Sequence, residues 1–143
     1  MNYTAGTLWN FITQGNASKA SRQMYYGDRY VESDLCNSYA WDTAIVYIQA
    51  MGNSNYANQG IGSNTSLKNT GTTGDEKCHI FDMVGNTREW TTEYSICTDS
   101  DNAYPCTSRG SYYLDSSDFT SVRNGHNATN SNDVRSFRVL LYM

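Results

Sequence analysis

The residues of this chain best suited to nucleophilic, acid–base or soft-metal chemistry are few: His79 and His126, with Cys36, Cys78, Cys97 and Cys106. No two cysteines form a CxxC pair, and their spacings do not match a zinc site. Cys97 and Cys106 flank TDSDNAYP and would bridge in an oxidising compartment. With no secretory leader ahead of them, reduced thiols, some of them buried, are the expectation. His79 stands in an apolar run and is expected to be a satisfied, partly buried side chain. His126 lies in a polar tract, where it is free to touch a ligand. DSDNAYPC at 99–106 has acidic spacing suited to calcium but lacks the glycine and the glutamate that close such a loop. No metal site, cofactor or catalytic set is expected.

What remains is a surface. Between Tyr112 and Asp133 the chain carries Tyr112, Tyr113, Asp115, Asp118, Phe119, Arg123, His126, Asn127, Asn130, Asn132 and Asp133 among Ser, Thr and Gly. Aromatic anchors mixed with small adaptable polar groups are what binding loops use, and loops on a rigid scaffold are where binding concentrates. Tyr112, Tyr113 and Phe119 would supply affinity; Asp115, Asp118, Arg123, His126 and Asn130 would set specificity. The tract then runs into SFRVLLYM, an apolar ending that a floppy tail would not need. Structure at both ends is expected to pin the polar segment, which makes about 109–136 the ligand-display region.

The elements that must hold it are partly legible. In DLCNSYAWDTAIVYIQAMG the residues Trp41, Ala44, Ile45 and Ile48 form one apolar stripe, which predicts a helix over about 35–51. Ser33 or Asp34 would cap its start and Gly52 its end. Residues 52–77 read as a long loop that either packs by its own contacts or moves. Gly85-Asn86 reads as a tight turn. After it, Trp90, Thr92 and Tyr94 alternate with Glu89, Thr91 and Glu93, the period of a half-buried strand. Phe137, Val139 and Leu141 alternate with Arg138, Leu140 and Tyr142 in a second strand. Residues 97–135 hold no long helix or strand, and residues 1–34 give no clear signal.

IFDMVGNTREW, followed by RGSYY at 109–113 and SFRVLLY at 136–142, resembles the formylglycine-generating-enzyme-like branch of the C-type lectin fold. Asp82, Met83, Gly85, Asn86, Glu89, Trp90, Arg109, Gly110, Phe137, Arg138 and Val139 match the family pattern. Ser111 and Ser136 stand where glycines are usual. The resemblance implies a single α+β domain over 1–143, loop-rich, with small antiparallel sheets and one amphipathic packing helix. It also implies that Trp90 fills the core with its N–H on a backbone acceptor, and that Arg109 and Arg138 donate to carbonyls or to Glu89. The sulfatase-activating members hold copper through two cysteines shortly after the arginine-glycine pair. RGSYYLDSSDFTSVR has none there, so an oxidase of that type is not expected. The polar tract ahead of the closing strand also resembles the variable proteins of diversity-generating retroelements. Adenine mutagenesis of asparagine codons gives the residue types in which the tract is rich. That likeness implies a non-enzymatic, diversified binding protein, with a place on a virion or cell surface. A formylglycine-generating-type oxidase, intact or degenerate, and a structural module of a larger assembly are the alternatives.

Composition agrees with a binding domain. The chain of 143 residues has 38% hydrophobic and 17% charged residues, so much of its polarity is uncharged. Its length suits one domain with a buried core. Net charge is −4 and no Lys/Arg patch is dense, so a phosphate backbone is not the expected partner. A protein or glycan ligand is. No apolar stretch is long enough to span a membrane, and the start lacks a basic region followed by an apolar one.

Overall fold

A computed structural model describes residues 7–60, 66–95, 98–99 and 102–143. In chain order the elements are α1 (Gln14–Gln23), β1 (Glu32–Leu35), α2 (Ser38–Ala50), a 3-10 turn (Tyr56–Asn58), β2 (Glu76–Lys77), β3 (Ile80–Phe81) and β4 (Arg88–Tyr94). β5 (Thr98–Asp99), β6 (Asn102–Ala103), β7 (Cys106–Arg109), β8 (Arg123–His126), β9 (Arg135–Phe137) and β10 (Val139–Tyr142) complete the chain. This is an α+β architecture. Its centre is a four-stranded sheet ordered β8-β7-β4-β9, accompanied by the two-stranded pairs β1-β10, β2-β3 and β5-β6.

Both faces of β4 are covered. Trp90 joins Ile12, Ala17, Leu35 and Cys106 in a cluster beneath α1 and β1. Trp41, Ile45 and Ile48 of α2 join Tyr56 and Met83 in a second cluster. Glu89 and Thr91, expected on an outward face, are therefore buried with Trp90, while Thr92 and Tyr94 run out into solvent. The expected two-residue period is not seen: Glu89, Trp90 and Thr91 are all covered because the strand lies between two cores there, and its register with β7 shifts between Trp90 and Tyr94. Trp90 Nε1 donates to the Ile12 carbonyl at 2.8 Å, the backbone acceptor the sequence asks for.

The helix expected over 35–51 spans Ser38–Ala50, because residues 32–35 pair with β10 instead, Leu35 opposite Val139. Its cap is Asn37, whose side chain accepts the Ala40 N–H at 2.8 Å, and not Ser33 or Asp34. α1 was not legible. Its sequence QGNASKASRQ buries only Ala17 and Ser21, small residues that let the helix lie close to β1, and Ser33 Oγ donates to the Ser21 carbonyl at 2.6 Å. The closing run is two strands, not one. β9 lies parallel to β4, an exception to the expected antiparallel pairing, and β10 leaves after Arg138 to pair antiparallel with β1.

The described part of the long loop packs by its own contacts. Asn86, buried in a turn where Gly85 and Asn86 have φ of 80° and 58°, accepts from Lys68 N at 3.0 Å and donates to Lys68 O at 3.2 Å. Asp82 accepts from Gly71 N at 2.5 Å and Thr73 Oγ1 at 2.6 Å. His79, expected to be partly buried, instead sits at the tip of the β2–β3 hairpin with its side chain 95% exposed, 3.3 Å from Glu76. A left-handed turn at Cys78 and His79 swings it away from the apolar run that follows.

Candidate functional site

The tract from β7 to β9 is fixed by its backbone and by the inward half of its side chains. Gly110 starts it at a φ of 79°, and a Cβ there would stand 3.1 Å from the Trp41 ring and 3.2 Å from the Met83 carbonyl. Only glycine fits that approach. Trp41 Nε1 donates to Thr120 O at 3.1 Å, Thr120 N to Gln59 O at 3.0 Å, and Ser121 N to Ala57 O at 3.1 Å. The loop 111–122 is thus tied to α2 and the 3-10 turn at its far end, and by Tyr113 N to Asn86 O at 3.2 Å at its near end.

Arg88 of β4 holds the acidic residues. Its guanidinium contacts Asp115 at 3.2 Å, pairs with Asp118, and lies 4.5 Å over the Tyr112 ring. Asp115 also accepts from the Ser117 hydroxyl and N–H, which with Arg88 hold its carboxyl below the usual range. The Tyr113 hydroxyl donates to Asp133 at 2.8 Å, so its proton is held more tightly than in a free phenol. Asn127 Oδ1 accepts from the Thr129 N–H and hydroxyl, both at 3.0 Å. Asn132 Oδ1 accepts from Arg135 at 2.8 Å. At the other edge Arg123 donates to Asp42 of α2 at 2.9 Å, and the buried Arg109 pairs with the same carboxylate.

His126 is the exception among the residues expected to meet a ligand. It is 9% exposed, edge-on to Trp90 at 5.4 Å between ring centres. The Arg135 guanidinium lies 3.0 Å from His126 Nδ1 and 3.3 Å from its Nε2, and Nε2 is hydrogen-bonded with the Ser108 hydroxyl at 2.8 Å. His126 is a core residue. β8 alternates it inward, against Cys106 of β7 in register. Burial, then the charges of Arg135 and Arg88, lower its pKa from 6.5 to about 3. The unfolded chain therefore takes up a proton that the folded chain refuses, and stability falls as pH drops from 6.5 towards 3. A loss of about 2 kcal/mol between pH 7 and pH 5 is expected in denaturant titrations, with a flatter profile for His126→Gln; an unchanged slope would refute this assignment.

The other predicted residues divide. Phe119, Arg123 and Asn127 are exposed, whereas Tyr112, Tyr113, Asp115, Asp118, Asn130, Asn132 and Asp133 are half-buried. Leu114, Ser116, Ser117, Ser121, Ala128, Thr129 and Ser131 also face outward. Leu114, absent from the expected ligand-binding set, is 62% exposed in the same loop. Arg88 was missed, although the expected strand period already placed it on the face of Trp90.

A family model described as the sulfatase-modifying factor enzyme 1-like domain matches residues 3–142, and the chain belongs to that family. Neither the curated proteins nor the solved structures gave a match. The C-type-lectin-like fold inferred from the closing motifs is the fold of this family. Arg138 supports it as expected, bidentate to Glu89 at 2.8 and 3.0 Å and donating to Phe81 O at 2.8 Å. The copper of sulfatase-activating relatives does not fit here. Between Gly110 and Arg123 the side-chain oxygen donors are hydroxyls and two carboxylates already held by Arg88, whereas copper(I) takes soft thiolates. Among the described residues no group of three or more His, Cys, Asp or Glu is placed to hold a metal, and no helix is long and apolar enough to cross a membrane. Cys36, Cys78 and Cys106 carry free thiols. Cys97 and part of the acidic segment at 99–106 lie outside the described residues.

Proposed function

We propose that this chain is a non-enzymatic binding protein that presents the outward side chains of 109–136 to a protein or glycan ligand. The supporting observation is a division of labour within the tract. Backbone bonds to Gln59, Ala57, Asn86 and Trp41 hold its path, while Leu114, Ser116, Phe119, Ser121 and Asn127 face solvent. Side chains that the scaffold does not use are free to differ, and that is the property a diversified surface requires. The composition of the tract favours the finer reading, a variable protein of a diversity-generating retroelement.

Exchanging Leu114, Ser116, Phe119 and Ser121 together is expected to redirect or abolish partner binding while the melting temperature moves by no more than a few degrees. Collapse of the fold in that variant would sink the proposal. The retroelement reading has its own check in the coding DNA. A near-identical copy of the codons for 112–138, differing at adenines and lying beside a reverse-transcriptase gene, is expected; its absence removes that reading alone.

A further inference from the structure

A cleft of about 510 Å³ opens beside the tract, lined by Asn37, Ser38, Tyr39, Thr92, Glu93 and Arg123. Three separate elements meet there: the first turn of α2, the outer end of β4 and the start of β8. Only Arg123 belongs to the display tract.

The chemistry of its walls is specific. Tyr39 contributes a ring that is 86% exposed, far more than a helix-borne aromatic shows when it serves the core. Glu93 is held in place through one oxygen, which accepts from the Ser38 hydroxyl and lies 3.4 Å from Arg123 Nε and 3.9 Å from Arg109. Its other oxygen is left open among the described residues, as are the Tyr39 and Thr92 hydroxyls and the Asn37 amide nitrogen. Behind this layer Arg109 is nearly fully buried, its Nε and the terminal nitrogen nearest Glu93 making no hydrogen bond among the described residues. The charges cancel: Arg123 and Arg109 against Glu93 and Asp42.

A free ion of either sign gains little from a neutral lining. A neutral ligand whose groups both donate and accept satisfies it, provided that it also has an apolar face for the Tyr39 ring. Pyranose sugars have both. We infer that this cleft takes a neutral sugar unit, its C–H face stacked on Tyr39 and its hydroxyls on Glu93, Thr92, Asn37 and Arg123, without a metal. The inference deepens the display reading by naming a ligand class, and rests on it only through Arg123.

The test uses methyl glycosides of glucose, galactose, mannose and N-acetylglucosamine, at millimolar concentration, in saturation-transfer NMR on the full chain. At least one is expected to bind, with transfer strongest to the ring protons of one face. Tyr39→Ala should weaken that binding about tenfold and Glu93→Gln should weaken it as well. Tyr26→Ala, at an equally exposed ring outside the cleft, should leave it unchanged. No binding by any of the four, or binding undiminished in Tyr39→Ala, overturns the assignment. The two readings fail separately, because the exchanged residues 114, 116, 119 and 121 do not line the cleft. Partner choice that follows the tract exchange while no sugar binds overturns the cleft and leaves the display surface standing.

Discussion

Glu89→Ala is expected to lower the stability of the fold by about 3 kcal/mol, one of the two largest effects of any single substitution considered for this chain. Glu89 is 7% exposed and takes two hydrogen bonds from Arg138, whose guanidinium also reaches the Phe81 carbonyl and lies 5.7 Å over the Trp41 ring. Removing the carboxylate alone leaves a mostly covered cation without its counter-charge. Removing both partners does not, since an apolar side chain can fill the same space. Glu89→Ala with Arg138→Met is therefore expected to recover much of the loss. Denaturant unfolding of the two variants decides the matter: a loss below about 1 kcal/mol for Glu89→Ala would mean that the pair does not organise the junction of β4, β9 and β10.

Trp41→Ala is the second. The side chain is 1% exposed in the α2 cluster, and its deletion should cost about 3–5 kcal/mol through lost burial and the cavity left behind. Its consequence for the tract is more telling than the total. Trp41 supports Gly110 from below and holds the Thr120 carbonyl by its indole N–H, so both ends of the loop 111–122 lean on one ring. Amide exchange in that loop, Thr120 N–H to Gln59 O included, is expected to accelerate more than exchange in β7 and β4. Uniform acceleration over the domain would assign Trp41 to the core alone and deny it any part in clamping the display segment.

Much of this fold was legible because a few local patterns carry it. The stripe on α2, the left-handed Gly85-Asn86 turn and the strand through Trp90 each follow from residue type and spacing, although the faces of that strand do not. α1 escaped because its contact face is Ala17 and Ser21, which leave no apolar period to detect. The inward turn of His126 escaped because a four-residue strand reading RNGH has no pattern that distinguishes its two faces. The outward half of the tract was visible as composition. Its inward half, Asp115 and Asp118 on Arg88 and Tyr113 on Asp133, was not, since those partners lie 20 to 30 residues apart in sequence.

Family membership, the α+β class and the place of the polar tract before the closing strands were determined by sequence alone, because turns, caps and periodicity are local. Which polar residues face outward was decided only by the tertiary structure. A neutral polar side chain suits a surface or a satisfied interior equally well, and its role depends on whether a distant donor or acceptor reaches it. Arg88 and Asp42 reach into the tract, Glu93 meets Arg123 at its edge, and pairing across the sheet turns His126 inward.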